Sequence, residues 1–304
     1  MSKSSVLDVL RVAVVQHEPE WMGLQGSVNK ACSIIAEAAQ NGAKLVAFPE
    51  AFIPGYPAWL ASQPMNAKMQ ADYIKNSLVV DSEEMAKIQA CAARNHIVVS
   101  LGYSENDHNS LFIGQAIIDL DGKILSLLKY HTATYREEIH CAAWPPLFPH
   151  AGPELYSLAQ EGALVLSQAY AIETQTFTLH SSTVLTEKGI EKLGSKGGLL
   201  MSKPGGGTSA VIRPDGKIIS TPLDPTAKGL VYADLNMDQG ILARSYLDIC
   251  GHYSRPDLLW LGCDTRVRKH KVDANRSGSG HGPESWVTVT AGSGNKLQDE
   301  TDVS

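Results

Sequence analysis

Two short apolar runs on either side of one amphipathic segment constrain the fold of this chain most strongly. Residues 11–16 and 44–48 have the length and composition of buried strands. Between them, residues 27–40 carry apolar side chains at helical spacing, and Asn41-Gly42 ends the pattern. A strand, a helix and a strand joined by short turns pair in parallel. The sequence therefore predicts an α/β fold with a site at the carboxyl ends of parallel strands.

Glu50 lies where the second of these strands turns into a stiff loop. Residues 48–57 read Phe-Pro-Glu-Ala-Phe-Ile-Pro-Gly-Tyr-Pro, so three prolines restrict the backbone around the carboxylate. Aromatic side chains wall it in, namely Phe48, Phe52, Tyr56 and Trp59. Loss of solvation raises the pKa of a carboxyl group, which suits a general base near neutral pH. The alternative is a structural carboxylate that caps a helix or forms an ion pair.

Further strands and helices are predicted along the chain. Asp81-x-x-Glu84 is a capping box that starts a helix running to about residue 93, and a second helix is predicted at residues 155–171. Strands are predicted at residues 97–102, 110–120, 123–129, 139–144, 175–181, 208–212, 217–220 and 229–235. Asp121-Gly122 and Pro214-Asp215-Gly216 are hairpin turns. In the strand at 175–181 we expect Phe177 and Leu179 on opposite faces.

The composition indicates one large globular domain. With 304 residues and 43% hydrophobic side chains, the chain can bury a full core. We expect this domain to cover residues 8–272. Residues 273–304 are rich in Ser, Gly, Asn and charge, so a disordered tail is predicted there.

Charge and motif patterns argue against several functional classes. A net charge of -6 leaves no basic face for nucleic acid. The ten histidines form no metal-binding pattern, and Gly205-Gly206-Gly207 lacks the lysine of a phosphate loop, so neither a metal nor a nucleotide cofactor is expected. No run reaches membrane-spanning length, and five scattered cysteines favour reduced thiols. We expect a soluble cytoplasmic protein with no membrane partner.

Residues 48–57 resemble the Phe-Pro-Glu-x-x-x-Pro-Gly-Tyr-Pro loop of the nitrilase branch of the carbon-nitrogen hydrolase superfamily. The resemblance extends to four further segments, which are Ala-Thr-Tyr-Arg-Glu at 133–137, Ile-His-Cys-Ala-Ala-Trp-Pro at 139–145, Tyr-Ala-Ile-Glu-Thr at 170–174 and Gly-His-Tyr-Ser-Arg-Pro-Asp at 251–257. It implies a nitrilase-type α-β-β-α sandwich of two β-sheets flanked by helices. It also implies a homo-oligomer, a dimer or spiral, supported by an extension from about residue 235.

The resemblance also implies a reaction and a set of site residues. Nitrilases convert a nitrile and two waters to a carboxylic acid and ammonia with a Glu-Lys-Cys set and no cofactor or metal. Glu50 matches the base, Lys129 the lysine, and Glu137 the second glutamate that positions the lysine and the nucleophile. Surface roles are the alternatives for Lys129 and Glu137. The implied substrate pocket includes Tyr56, Trp59 and Trp144.

The nucleophile of the family has no counterpart in this chain. In nitrilases a Gly-rich loop, a buried strand, a sharp turn bearing Cys-Trp-Glu and a helix precede the Ile-His-x-Ala-Ala-Trp-Pro strand. Here Glu137 leads almost directly into Ile139, and Cys-Trp-Glu occurs nowhere. Cys141 is the nearest candidate, but single buried cysteines are usually inert.

The resemblance leaves three functions open. The flanking residues are most similar to fungal arylacetonitrilases, which predicts hydrolysis of an arylacetonitrile-like substrate. Absence of the cysteine turn favours an inactive or regulatory family member. The third possibility is another reaction of the superfamily, either cyanide hydration to formamide or amide hydrolysis. The nitrilase form of the Pro54-Gly55-Tyr56-Pro57 loop argues against the amidase.

Overall fold

The larger of the two β-sheets has six strands, and it pairs the first described strand of the chain with the last. The computed structural model describes residues 9–63, 65–121, 124–125, 136–152, 154–198, 201–252 and 254. The strands of this larger sheet are β1 (Val9–Gln16), β2 (Leu45–Ala47), β3 (Val98–Asp107), β4 (Ser110–Ile118), β5 (Ile124–Leu125) and β9 (Gly229–Asn236), in the order β5-β4-β3-β2-β1-β9.

The predicted strand-helix-strand unit at the start of the chain is confirmed. β1 and β2 pair in parallel, with Val12 opposite Leu45, and β2 and β3 pair in parallel as well. Helix α1 (Leu24–Gln40) crosses between β1 and β2 and buries the apolar face that the spacing indicated. The loop that bears Glu50 therefore follows the carboxyl end of a central parallel strand.

A second, smaller sheet faces the first. Its described strands are β6 (Ile139–Trp144), β7 (Phe177–Ser182) and β8 (Ala210–Ile212), in the order β6-β7-β8. β6 has the bounds that the sequence predicted and runs parallel to β7. Among the described residues β6 pairs on one side alone, and all six of its residues are half-buried. β6 is therefore the edge of the described sheet.

Helices cover the outer faces of both sheets. The remaining helices are α2 (Ala67–Asn76), α3 (Glu83–Asn95), α4 (Gln160–Thr174), α5 (Glu187–Leu193) and α6 (Asp238–Tyr246), with 3-10 turns at Ala58–Ala61 and Tyr156–Leu158. α1 and α3 pack together over the larger sheet, and α4 packs on β6 and β7. The layers run helix, sheet, sheet, helix, which confirms the predicted α-β-β-α sandwich.

The two sheets share an apolar core and a pair of hydrogen bonds. Phe177 and Leu179 both lie in this core, so their predicted placement on opposite faces is wrong; residues two apart in a strand share a face. The buried hydroxyl of Ser181 donates to the carbonyls of Val15 (2.8 Å) and Ala47 (3.1 Å). These bonds join β7 to β1 and β2 near the site.

Further local predictions needed correction. Ser82, and not Asp81, caps α3, because the Ser82 hydroxyl accepts from the backbone N–H of Met85 at 3.2 Å. β3 extends past its predicted end and forms a hairpin with β4 through His108 and Asn109, whose φ angles are 51° and 68°. The helix predicted at residues 155–171 starts at Gln160, after the 3-10 turn.

Some predictions fall outside the described residues. The tail at 273–304, the domain end at residue 272 and most of the strand at 123–129 lie there and stay predictions. In the part of the chain that the structure describes, no helix is both long enough and apolar enough to span a bilayer.

The cap of α3 gives a direct test of the corrected boundary. Ser82→Ala leaves the N–H of Met85 without its acceptor, so the free energy of unfolding should fall by about 1 kcal/mol. Asp81→Ala, the matched control, should change it by less than about 0.5 kcal/mol, since Asp81 contributes charge alone. Urea unfolding measures both; a larger loss for Asp81→Ala would restore the capping box.

Candidate active site

Two sheets meet at the backbone of Glu50. The N–H of Glu50 donates to the carbonyl oxygen of Trp144 at 3.3 Å, and the N–H of Phe48 donates to the carbonyl of Ser100 at 2.8 Å. The loop is thus tied to the end of β6 in one sheet and to β3 in the other. Gly102 of β3 is needed beneath it, because a Cβ there would lie 2.1 Å from the carbonyl oxygen of Pro49.

The rest of the loop is fixed by its own turn and by α2. Ala51 has a φ of 46° and Gly55 a φ of 114°, and the N–H of Gly55 donates to the carbonyl of Ala51 at 2.9 Å. The buried hydroxyl of Tyr73, on α2, donates to the carbonyl of Gly55 at 2.9 Å. The chain therefore holds the base candidate on a closed loop with few free torsions.

The carboxyl group of Glu50 is electrostatically unusual. Burial raises the pKa of Glu50 from 4.5 to about 7, as the aromatic wall predicted. The pKa of Tyr56 is raised by burial and then by the nearby charge of Glu50. Near neutral pH this carboxyl can both accept and return a proton, which is the property of a general acid-base group.

A cavity of about 300 Å³ opens beside the loop. Its walls include Tyr56, Pro145, Phe148, Met201 and Lys203. Pro145 directly follows Trp144, the residue bonded to Glu50. The ammonium group of Lys203 lies 6.0 Å from the centre of the Phe148 ring, and Glu154 also lines the cavity, so largely apolar walls are combined with one positive and one negative charge.

The structure divides the three predicted pocket residues. Tyr56 lines the 300 Å³ cavity. Trp59 is buried, packs edge-on against Tyr73 with ring centres 6.1 Å apart, and lines a different cavity of about 360 Å³. The indole N–H of Trp144 donates to the hydroxyl of Ser167 at 3.1 Å, on the side of α4. A sequence does not reveal which way such side chains point.

Glu137 lies at the opposite end of β6 from Glu50. Its carboxylate accepts from the hydroxyl of Tyr170 at 2.6 Å and lies 3.1 Å from Nδ1 of His140, whose ring stacks on Tyr170. From His140 to Trp144 the strand rises about 13 Å. These contacts tie Glu137 to α4 and to the start of β6. Lys129, which Glu137 was predicted to position, lies outside the described residues, so that role stays a prediction.

Two arginines hold the segment around Glu137 to the end of the described chain. Arg136 donates to both carboxylate oxygens of Asp248, at 2.9 and 2.7 Å. Arg244, on α6, donates to the backbone carbonyl of Glu137 at 3.0 Å. These contacts fix the start of β6.

Cys141 is half-buried on β6. It packs against the apolar core between the sheets. Burial raises the pKa of the Cys141 thiol to about 12, so the nucleophilic thiolate is not formed near neutral pH. Cys32 and Cys91 lie on α1 and α3, where the thiol of Cys91 contacts the carbonyl of Cys32. Lys129 lies outside the described residues, and its role stays a prediction.

The architecture defines an α-β-β-α sandwich with an acid-base carboxyl at the end of a parallel strand. A family model described as "Carbon-nitrogen hydrolase" matches residues 11–146 and 127–244. This chain belongs to that family and is a hydrolase of the nitrilase type. The resemblance carried by the Glu50 loop is confirmed.

Two fungal proteins are similar over most of their length. An arylacetonitrilase of Aspergillus kawachii is 47% identical over 307 residues, covering 86% of this chain and 94% of that protein. An arylacetonitrilase of Aspergillus niger is 46% identical over 314 residues, covering 88% of this chain and 96% of that protein. The solved Caenorhabditis elegans NitFhit protein has a TM-score of 0.57 at 17% identity, covering 86% of this chain and 69% of its own. It shows the fold.

The alignments reveal a gap within this chain. The A. kawachii alignment has 307 positions but covers 86% of the 304 residues of this chain, about 261. At about 46 alignment positions the relative therefore has a residue and this chain has none. The family match is split into two stretches that share residues 127–146. The shared stretch includes the place before β6 where the Cys-Trp-Glu turn was expected. Both stretches contain Lys129, so the match does not say on which side of the break it belongs.

The raised pKa of Glu50 predicts how stability depends on pH. A carboxyl whose pKa is higher in the folded state binds more protons there, so the free energy of unfolding should fall as pH rises from 4.5 to 7. The difference amounts to at most about 3 kcal/mol. Glu50→Gln should remove this slope and so gain stability relative to the unaltered protein as pH rises.

Urea unfolding at a series of pH values measures this effect. Glu83→Gln, at the exposed start of α3, is the matched control and should keep the slope. Parallel curves for Glu50→Gln and the unaltered protein across this range would contradict the burial of the Glu50 carboxyl.

Proposed function

We propose that this chain carries the acid-base half of a site that hydrolyses arylacetonitriles to carboxylic acids and ammonia. The observation that supports it most is the half-buried carboxyl of Glu50, whose pKa burial raises to about 7. Tyr56, from the same loop, lines a largely apolar cavity. The substrate class comes from the A. kawachii and A. niger relatives, which are named arylacetonitrilases.

The chemistry needs a base, a nucleophile and a pocket. One nitrile and two waters give one acid and one ammonia, with a thiolate attacking the nitrile carbon first. Glu50 would take the proton of the thiol and later that of a water. The aromatic ring of the substrate would contact the apolar walls of the cavity, Phe148, Pro145 and Met201. Its volume, about 300 Å³, suits a small aromatic ligand.

We infer that the nucleophile of the family belongs beside β6, at the edge of the described smaller sheet. A strand followed by a turn, a helix and β6 would form another parallel unit, so it would pair beside β6. Parallel neighbours end at the same edge of a sheet, and β6 ends at Trp144, the hydrogen-bond partner of Glu50. A cysteine in the turn after that strand would therefore face the Glu50 loop.

The unaltered protein should therefore bind a nitrile without hydrolysing it. Cys141 has the wrong environment for a nucleophile, since burial raises its pKa to about 12. A second candidate function follows from the same gap of about 46 positions, namely a non-catalytic subunit that joins active relatives.

Ammonia release from phenylacetonitrile tests the proposal. The unaltered chain should release none, and a chain that receives the A. kawachii segment missing between residues 127 and 146 should release it. Glu50→Gln in that restored chain should lower the rate at least about 100-fold, the usual contribution of a general base. Cys141→Ala, the matched control, should leave it unchanged.

Three outcomes would count against the proposal. Turnover by the unaltered chain that is lost in Cys141→Ala would make Cys141 the nucleophile. A restored chain that is active with and without Glu50 would remove the base. A product that is an amide and not an acid would favour hydration, as in a cyanide hydratase, over hydrolysis.

The proposal extends to assembly and location. Exposed apolar side chains on α4 and α6 support self-association, namely Val165, Leu166, Ile172, Ile241, Leu242 and Tyr246. Free thiols at Cys32, Cys91, Cys141 and Cys250 support a reducing cytoplasm.

A further inference from the structure

A buried histidine of the smaller sheet connects to the Glu50 loop through hydrogen bonds. His180, on β7, is fully buried. Its Nδ1 lies 2.9 Å from the hydroxyl of Ser167, and its Nε2 lies 3.3 Å from the hydroxyl of Thr208. The same Ser167 hydroxyl accepts the indole N–H of Trp144 at 3.1 Å. Four side chains, from β6, α4, β7 and the loop before β8, are thus joined inside the sandwich.

The hydrogen bonds that join these four side chains have defined donors and acceptors. The Ser167 oxygen accepts the indole N–H of Trp144, which can only donate. Because the Thr208 hydroxyl donates to Ser182, it accepts from Nε2 of His180, which leaves Nδ1 of the neutral ring to accept the Ser167 proton. Nε2 then carries the imidazole proton and donates to Thr208, whose hydroxyl donates to Ser182 at 3.2 Å. Burial lowers the pKa of His180 to about 4, so the ring is neutral, as this arrangement requires.

Trp144, the first residue in this series of hydrogen bonds, is also the backbone partner of Glu50. The carbonyl oxygen of Trp144 accepts the N–H of Glu50. Pro145, the next residue, lines the 300 Å³ cavity. The tether on the Trp144 indole therefore fixes the end of β6, to which the loop is attached, although neither Ser167 nor His180 lines that cavity.

We propose that Ser167 and His180 are positioning residues that hold Glu50 in its buried site by anchoring Trp144. This inference rests on the proposed function of Glu50 as the base. Without the Ser167 hydroxyl, the indole N–H and the Nδ1 atom both lose a buried partner. The end of β6 then shifts to reach water, and the Glu50 loop moves with it.

Two NMR signals of the full chain test this proposal. One is the indole N–H of Trp144, assigned with Trp144→Phe; the other is the side-chain carboxyl of Glu50 followed through a pH titration. Ser167→Ala should shift the Trp144 signal and increase the acid dissociation constant of Glu50 about tenfold, as its carboxyl gains water. Ser167→Thr keeps a hydroxyl and should restore both signals.

The control separates positioning from a loss of any helix serine. Ser33→Ala removes a hydroxyl that bonds only its own helix, to the carbonyl of Asn29 on α1, and should leave both signals unchanged. A folded Ser167→Ala with an unaltered Glu50 titration overturns the proposal. If Ser167→Ala does not fold, Thr208→Val removes the acceptor of Nε2 and must shift both signals; no shift overturns the proposal equally.

The same titration distinguishes a failure of the proposed function from a failure of the positioning role. If Glu50 of the unaltered protein titrates near the ordinary value of 4.5, the proposed function fails. If it titrates near 7 in the unaltered protein and in Ser167→Ala alike, the positioning role alone fails.

Discussion

One backbone hydrogen bond, from the N–H of Glu50 to the carbonyl of Trp144, links the two sheets at the candidate site. The larger sheet supplies the strand and the loop, and the smaller sheet supplies the end of β6. The close approach requires glycine at position 102, because any Cβ there would meet Pro49. The position of the carboxyl, its burial and its raised pKa depend on this junction.

Much of the fold could be predicted because its signals are local. The spacing of apolar residues in α1 and the short turns around it specified a parallel pair, and Pro145 marked the end of β6. A raised pKa of Glu50 was predicted from its apolar loop, and burial of the carboxyl raises it. The β3–β4 hairpin was missed because its turn, His108-Asn109, lacks the glycine by which such turns are recognised.

The parts of the site that could not be predicted depend on direction and distance. Glu137 is near Ile139 in sequence, yet a strand of extended residues separates it from Trp144. Trp59 packs against Tyr73 on α2, whereas Trp144 donates to Ser167 on α4, and no spacing rule indicates this. Ser167 and His180 left no pattern at all, because a single buried polar residue in a strand or helix resembles any other until its partners are known.

The gap before β6 connects the fold with the chemistry. A strand inserted there would pair beside β6, which among the described residues has a partner on one side alone, and would end next to the Glu50 loop. We propose that one segment supplies both this strand and the nucleophilic thiol. A crystal structure of the chain with that segment restored tests this account most directly. We expect the restored cysteine sulfur within about 6 Å of the Glu50 carboxylate, in reach of a proton relay through one water. A separation of more than about 10 Å, beyond any such relay, would contradict it.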